Sequence, residues 1–234
     1  CSCKQQGKRN SKLLHGDIKK YPVTIYEDSS LSQVALRLQE NKLINEKDFF
    51  ELSQDAEFLS ELGIRSSSME GYLFPDTYFL DRSMTTRRIM RMMVERFQSK
   101  VSPEMIRQAA QKGLNVHQFV TFASLVGKES GCAAEKPLIA AVFYNRLKKG
   151  MPLQSDPTAV YDLKNFKGKV MRSHYKRESP YNTYLIRGLP PGPIASPGLD
   201  SFQAVLQPAA VDYLYFVSKG DGTHHFSSSL MAHN

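Results

Sequence analysis

The chain has 234 residues, enough for one large domain or two small ones, and 41% of them are hydrophobic while 23% are charged. This composition is typical of a soluble globular protein that buries a real core. Lys and Arg outnumber Asp and Glu by 31 to 23, for a net charge of +8. Such a charge favours polyanionic surroundings, namely nucleic acid, an anionic membrane or an acidic cell-wall polymer, without choosing among them.

The sequence also lacks the signatures of several protein classes. Cys1, Cys3 and Cys132 form neither a disulfide framework nor a CxxC pair. No apolar run approaches the roughly 18 residues of a membrane span, and no signal peptide is visible. No RNA-binding, zinc-finger or helix-turn-helix signature is strong, so we expect no nucleic-acid partner. Residues 1–20 are polar, basic and aperiodic, which predicts a flexible tail; its Cys1 is either a lipid-modified terminus or, more simply, a truncation boundary.

A small α/β segment is predicted after the tail, over residues 21–68. The alternating, β-branched stretch Tyr21–Tyr26 predicts a short strand. Asp28–Ser30 offers N-caps to an amphipathic helix over Leu31–Asn41, and a second helix is predicted over Glu46–Leu52. This order of elements weakly resembles a carbohydrate-binding LysM-like module.

The next segment, Glu70–Tyr78 (EGYLFPDTY), is dense in aromatic residues. Its proline disfavours helix, and Asp76–Thr77 suits a turn. Tyr72, Phe74 and Tyr78 offer flat surfaces on which sugar rings stack, or else they form a hydrophobic bridge between two subdomains. The pattern alone leaves both interpretations open.

Helical periodicity dominates the middle of the chain. It predicts three helices with short links, over 83–100, 102–112 and 115–129, and a fourth over 135–149. The first is basic with a Met-rich inner face, which is more typical of core than of a site. These helices should pack as a compact layer.

The C-terminal third predicts shorter elements. Met151–Ser155 reads as extended, and a short helix is expected over Thr158–Leu163. Ser179–Ile194 is dense in Tyr, Asn, Pro and Gly, and the three prolines and two glycines of Gly188–Pro193 predict a rigid loop. Ser196–Pro197 should cap a helix to about Leu206, and a β-hairpin is predicted over residues 213–227.

Most catalytic chemistries have no support in the sequence. His224, His225 and His233 lack the spacing of metal ligands, and adjacent strand positions put the first two on opposite faces. There is no GxSxG elbow for a serine nucleophile and no glycine-rich loop for phosphate. We therefore expect no metal and no cofactor, which leaves acid–base chemistry on a neutral polar substrate.

One carboxylate is placed for such chemistry. Glu129 stands at the end of an apolar helix, ahead of a polar loop with Gln154, Ser155 and Asp156. It is either a surface glutamate of a helical hairpin or a general acid in a cleft. Glycoside cleavage needs an acid to protonate the leaving oxygen, and one carboxyl suffices if a hydroxyl of the sugar replaces water. Partial burial should raise the pKa of such an acid.

Five motifs, in this order, carry a resemblance to a known family: EGYLFPDTY, ASLVGKES, AAVFYNRLKKGMPLQSDPTAVY, YNTYLIRGLPPGPIASPG and YLYFVSKGDGTHHFSSSLMAHN. Together they resemble the endolytic murein transglycosylase (YceG-like) family, and the resemblance covers about Tyr21 to Asn234. It implies a lytic transglycosylase that cleaves the MurNAc–GlcNAc β-1,4 bond of nascent peptidoglycan strands and leaves 1,6-anhydroMurNAc ends. It also implies a terminase of glycan polymerisation that acts alongside peptidoglycan synthases (penicillin-binding proteins).

The resemblance carries expectations about fold and location. The fold class is α+β, with a LysM-like subdomain over 21–68 and a mixed helical and β catalytic domain over 69–234 that is similar to lysozyme-like transglycosylases. A single-pass membrane protein is expected, with its catalytic domain on the periplasmic or extracellular side. The membrane anchor is expected upstream of this chain.

The family's catalytic glutamate corresponds to Glu129, as acid and then as base. Many members have another Glu where this chain has Gly127, which leaves open any auxiliary role of that carboxylate. Further positions match the family's motifs and are expected to bind substrate: Glu70, Asn145, Gln154, Asp156, Tyr181, Asn182 and Tyr184. Structural roles compete with these, since Asn145 and Asp156 would also suit loop anchors and Tyr184 would suit the core.

Two other functions remain open at this point. One is a catalytically silent protein that binds glycan or docks on a synthase, motivated by Gly127 and the LysM-like segment. The other is a conventional hydrolase that makes reducing ends. The basic charge fits all three, because wall polymers carry stem-peptide carboxylates.

Overall fold

The computed structural model of the chain describes residues 19–163, 166 and 168–233. Most of the predicted tail, including Cys1, lies outside the described residues. The α-helices are α1 (Leu31–Glu40), α2 (Glu46–Ser53), α3 (Ala56–Glu61), α4 (Thr86–Lys100), α5 (Pro103–Gln111), α6 (Val116–Glu129), α7 (Lys136–Lys148), α8 (Arg172–Tyr175), α9 (Leu199–Leu206) and α10 (Leu230–His233). The strands are β1 (Tyr21–Thr24), β2 (Thr77–Leu80), β3 (Tyr215–Ser218) and β4 (His224–Ser227). This mixture of helices and small antiparallel sheets confirms the predicted α+β class.

The N-terminal sheet joins distant parts of the chain. β1 pairs with β2 in antiparallel register, with Tyr21 opposite Leu80. The predicted turn at Asp76–Thr77 is wrong for Thr77, which begins β2; the side chains of that strand alternate between solvent and core as a half-buried strand requires. The sheet thus takes one strand from each side of residue 68, while the division into two domains there stays a prediction.

Side-chain caps explain where the principal helices begin. Ser30 and Gln33 form a capping box at the start of α1, and Asn115 and Gln118 form another at the start of α6. Ser102 caps α5, whose first residue is a proline. These starts confirm the predicted helices, whereas the short helices α3, α8 and α10 were not predicted.

The centre of the fold is α6. Every residue from Phe119 to Gly127 is buried, so the helix is enclosed on all sides, with α5, α7 and α9 packed around it. Phe202 of α9 meets Phe119 edge to face, with ring centroids 5.1 Å apart. The buried apolar side chains form a continuous cluster that reaches from Val23 to Leu206. The N-terminal elements therefore share their core with the helices that follow.

The aromatic residues of the Glu70–Tyr78 segment belong to that core. Tyr72, Phe74 and Tyr78 are all buried. The Tyr78 hydroxyl donates to the Phe74 carbonyl at 2.6 Å, and the Tyr72 hydroxyl lies 3.2 Å from His117 Nδ1. The burial of these three rings in the core makes their stacking on sugars wrong, whereas a bridge between two subdomains stays a prediction.

The C-terminal half follows its predicted order with two corrections. The helix predicted over Thr158–Leu163 is a 3-10 helix over Asp156–Ala159. The N-cap of α9 is Gly198, because Ser196 instead forms an antiparallel bridge with Ser29. Gly188–Pro193 contains neither helix nor strand, as predicted, and the β3–β4 hairpin is confirmed. Within the described part of the chain, no helix has the length and apolar character needed to cross a membrane.

Candidate active site

The enclosed helix α6 ends at Glu129. The chain leaves the helix there because Ser130 is extended, with φ −145° and ψ 130°. Glu129 is half-buried, and the Ser155 hydroxyl donates a hydrogen bond to its Oε1. The Ser155 N–H in turn donates to Thr183 Oγ1 at 2.9 Å. The carboxyl thus sits where a rigid helix meets the 151–155 loop.

The surroundings of Glu129 favour its protonated form. Burial raises the pKa of its carboxyl from 4.5 to about 7. The Ser155 hydrogen bond and the charges of Arg146 and Lys128 lower this pKa, while the Asp156 carboxylate raises it. Near neutral pH both protonation states are accessible, as an acid that later acts as a base requires.

Two tyrosines hold the neighbouring carboxylate, Asp156. The Tyr184 hydroxyl donates to its Oδ1, and the Tyr175 hydroxyl donates to its Oδ2 at 3.2 Å. The two rings stack with centroids 4.1 Å apart, and burial together with Asp156 raises the pKa of Tyr184. Asp156 is therefore a fixed negative charge beside the Glu129 carboxyl.

The loop that carries Ser155 is anchored by a buried arginine. Arg146 of α7 donates through Nη1 to the carbonyls of Pro152 and Leu153, at 3.2 and 2.8 Å, and to Gln154 Oε1 at 3.2 Å. Through Nε it donates to the Leu214 carbonyl at 2.7 Å. Gln154 is exposed and adopts a left-handed backbone conformation with φ 53°. Arg146 thus sets the path of the loop against Glu129.

A second buried carboxyl, Glu70, connects the N-terminal helices to the site region. It accepts the Leu31 N–H at the start of α1 at 2.9 Å and the Tyr161 hydroxyl at 2.9 Å. Burial raises its pKa to about 7. It lies at a cavity of about 300 Å³ that Tyr181 and His117 also line. Tyr161 and Tyr181 pack together with centroids 4.6 Å apart.

Two of the predicted substrate-binding residues instead organise loops. The Asn145 amide donates to the carbonyls of Val211 and Tyr213, at 2.9 and 3.0 Å. Asn182 is fully buried, and its amide donates to three carbonyls of the segment 174–177. Their amide groups are used in hydrogen bonds to the backbone of the protein, while the substrate contacts predicted for them stay a prediction.

Ser155 was named from the sequence only as part of a polar loop, and several other residues that the structure places here were not singled out. Ser155, Lys128 and Arg146 adjoin or face Glu129, and Tyr161 and Tyr175 hold the carboxylates. All but Tyr175 fall inside the motifs quoted for the resemblance, which was the available signal. Across the described residues, no three His, Cys, Asp or Glu side chains converge as a metal site would require.

Comparison with known proteins places this arrangement in context. A family model described as YceG-like matches residues 5–234. The chain is 35% identical to a protein of Bacillus subtilis named endolytic murein transglycosylase, with 92% of this chain and 63% of that protein covered. It is 32% identical to one of the same name from Streptococcus pneumoniae, of which it covers 40%. A crystal structure of a YceG-like protein from Listeria monocytogenes superposes with a TM-score of 0.84 at 31% identity, covering 97% of this chain and 79% of that one.

Proposed function

The chain belongs to the YceG-like family, and from this premise we propose that it is an endolytic peptidoglycan lytic transglycosylase. Its substrate would be the MurNAc–GlcNAc β-1,4 bond of nascent glycan strands, and its product a 1,6-anhydroMurNAc end. The observation that carries the proposal is a half-buried carboxyl with a pKa of about 7 at the end of an enclosed helix. The chain spans 63% and 40% of the two relatives, both named endolytic murein transglycosylase.

In the proposed reaction Glu129 acts twice. The protonated carboxyl gives its proton to the glycosidic oxygen as the C1–O bond breaks, so the GlcNAc side leaves with a free hydroxyl. The resulting carboxylate takes the proton of the MurNAc C6 hydroxyl as that oxygen attacks C1. The new C1–O6 bond makes the anhydro ring, no water is consumed, and Glu129 ends protonated again. Ser155 steadies the ionised state by its hydrogen bond.

The glycan is proposed to lie across the two carboxyl regions. Gln154 lies in the 151–155 loop that contacts Glu129, and Asp156 follows this loop and is bonded by Tyr184. All three side chains suit contacts with sugar hydroxyls. Glu70 and Tyr181 line the cavity of about 300 Å³, a volume near the lower end for small-ligand pockets. The two amides Asn145 and Asn182 would act on substrate through the loops they hold.

The finer organisation of the protein is also proposed. The N-terminal unit is proposed to be LysM-like and to end at Leu80 rather than at residue 68, because β2 completes the sheet that β1 begins. Its catalytic neighbour is proposed to be similar to lysozyme-like transglycosylases. A membrane anchor, an outward-facing active site and a partner synthase are proposed as well, because the family resemblance implies them.

Digestion of purified peptidoglycan tests the function. We expect wild type to release anhydro-ended fragments, identified by mass spectrometry, and Glu129→Gln to release about 100-fold less. Glu104→Gln, an exposed carboxyl that pairs with Arg107, is the matched control and should retain activity. Undiminished anhydro product from Glu129→Gln would refute the role of Glu129. Reducing ends would indicate a hydrolase, and glycan binding without product would indicate the silent binding protein.

A further inference from the structure

The last turn of α6 is in contact with a residue from the N-terminal unit. The carboxyl of Asp28 occupies the space beside Gly127, where a Cβ would lie 1.9 Å from Asp28 Oδ1. No side chain is compatible with this position while Asp28 stays in place. The close approach of the Asp28 carboxyl therefore explains why a glycine occupies position 127.

Asp28 is held in a costly state. Its backbone is left-handed, with φ 59°, and its N–H donates to the Ser196 carbonyl at 2.8 Å. Its Oδ1 is buried without a hydrogen-bond partner among the described residues, and burial raises its pKa to about 6. Backbone strain together with an unsatisfied buried oxygen is a combination that folded proteins retain mainly at functional positions.

Charged groups link Asp28 to the catalytic carboxyl. Lys128 lies between Gly127 and Glu129 in sequence, and its Nζ donates to the Asp28 carbonyl at 3.3 Å. The positive charge of Lys128 lowers the pKa of both Asp28 and Glu129. It also lowers the pKa of Glu70.

A second lysine acts on Asp28 through its charge. Lys136 of α7 is buried, pairs with Asp200 at 2.9 Å and lies 4.0 Å from Glu27. The charge of Lys136 lowers the pKa of Asp28, while Glu27 and Asp200 raise it. Glu129 itself is faced by Lys128 from its own helix, Arg146 from α7 and Asp156 from the 3-10 helix. Lys128 is thus the charge shared by Asp28 and Glu129.

We propose that Asp28 is a positioning residue of the active site. Its carboxyl seats the last turn of α6 beside Gly127, its backbone carbonyl accepts a hydrogen bond from Lys128, and its charge thereby sets how tightly Glu129 keeps its proton. The proposal rests on the proposed function in that Glu129 is the acid. It means that the N-terminal unit completes the catalytic centre in addition to any role in binding glycan.

A direct titration tests the proposal without relying on activity. The full chain is labelled with ¹³C at Glu carboxyls, the Glu129 signal is assigned by its loss in Glu129→Gln, and its pKa is read by NMR. Asp28→Asn keeps a residue that tolerates φ 59° and removes only the charge. Because the Lys128 charge is then no longer partly neutralised, we expect the Glu129 pKa to fall by about 0.5 to 1 unit. Glu27→Gln, an exposed carboxylate on the same loop, should move it much less.

Moving the carboxyl from position 28 to position 127 tests whether the Glu129 pKa can be restored. In Asp28→Gly the space beside α6 is empty, so Gly127→Asp can place a carboxyl there from the helix side. We expect Asp28→Gly/Gly127→Asp to restore the Glu129 pKa, whereas Asp28→Gly/Gly127→Ala, which fills the space without charge, should not. Thermal unfolding of each variant confirms that it is folded.

Activity provides the second readout. If anhydro product is formed by wild type, Asp28→Asn should lower kcat more than it raises KM and shift the alkaline limb of the pH profile downwards by the same 0.5 to 1 unit, roughly. An unchanged Glu129 pKa in folded Asp28→Asn would overturn the proposal. A wild type without anhydro product would refute the proposed function alone, since the titration still decides the coupling.

Discussion

Glu129 illustrates how a single residue acquires chemistry from its surroundings. Burial raises the pKa of its carboxyl to about 7, and the Ser155 hydroxyl is the hydrogen-bond donor that opposes this. The balance leaves a proton that can be given and taken back near neutral pH. The same balance has consequences for stability and for pH dependence, which can be measured separately.

Glu129→Gln should stabilise the protein in a pH-dependent manner. A carboxyl whose pKa is raised from 4.5 to about 7 binds its proton more tightly in the folded state, so its contribution to stability declines as pH rises through that window. We expect the variant to gain about 1 to 3 kcal/mol near pH 8 and nothing near pH 4, measured by thermal unfolding. Equal stability of the two proteins at both pH values would contradict the raised pKa.

Ser155→Ala should shift activity in the direction opposite to Asp28→Asn. Without the donated hydrogen bond the ionised form of Glu129 loses stabilisation, so its pKa rises and the alkaline limb of the activity profile moves up by about 1 unit. The base step slows, and kcat should fall about 10-fold. Ser130→Ala is the control, since the Ser130 hydroxyl bonds the Cys132 backbone instead. An alkaline limb that stays fixed would exclude Ser155 as the donor.

Among the secondary-structure elements, α6 carries Glu129 and α7 anchors the loop that contacts it. α6 is enclosed by the helices α5, α7 and α9 and carries Glu129 at its end. α7 contributes Arg146, whose guanidinium holds both the 152–154 loop and the segment before β3. The position of the loop that carries Ser155 therefore depends on the hydrogen bonds of Arg146.

Arg146→Lys should loosen the loop while leaving α6 intact. A lysine has no planar fork and cannot donate to four acceptors from one position, so several buried carbonyls lose their partners. We expect a loss of about 2 to 4 kcal/mol in the free energy of unfolding and a lower kcat. Denaturant unfolding and peptidoglycan digestion measure the two effects. Lys148→Arg on the exposed end of α7 should leave both unchanged, and stability like that of wild type in Arg146→Lys would contradict this account.

The whole molecule has one shared core. Buried side chains of the N-terminal helices, β2, α6 and α9 belong to the same cluster, and the loop before α1 bonds to the segment before α9 through Ser29 and Ser196. A shared core predicts cooperative unfolding of the described part of the chain as one unit. The proposed N-terminal and catalytic units would then differ in function but unfold together.

Phe49→Ala tests this coupling from a distance. Phe49 is fully buried in α2, and its truncation should cost about 3 to 5 kcal/mol. We expect the temperature at which peptidoglycan digestion is lost to fall together with the unfolding temperature. The unfolding temperature is measured by circular dichroism and calorimetry. Leu36→Ala on the exposed face of α1 is the control. Two separated transitions, with only one of them shifted, would show that the parts unfold independently.

What the sequence determined by itself is local. Capping pairs such as Asn115 with Gln118 act over three residues, and Gly150, just after the C-cap of α7, has the positive φ of 65° that is common for glycine at this position. Helix starts, the hairpin and the α+β class followed from such short-range rules. Glu129 was identified in the same way, as the last acid of an apolar helix, and the family motifs directed attention to it.

What only the tertiary structure decided is which distant groups meet. Ser155 reaches Glu129 across 26 residues, Leu31 reaches Glu70 across 39, and Lys128 reaches Asp28 across 100. No periodicity or cap encodes such contacts, because they depend on how enclosed helices and loops pack in three dimensions. For the same reason the aromatic segment left two interpretations open until burial excluded the stacking of its three rings on sugars. The pKa of Glu129 belongs to this second class, since burial is a property of the fold and not of the residue.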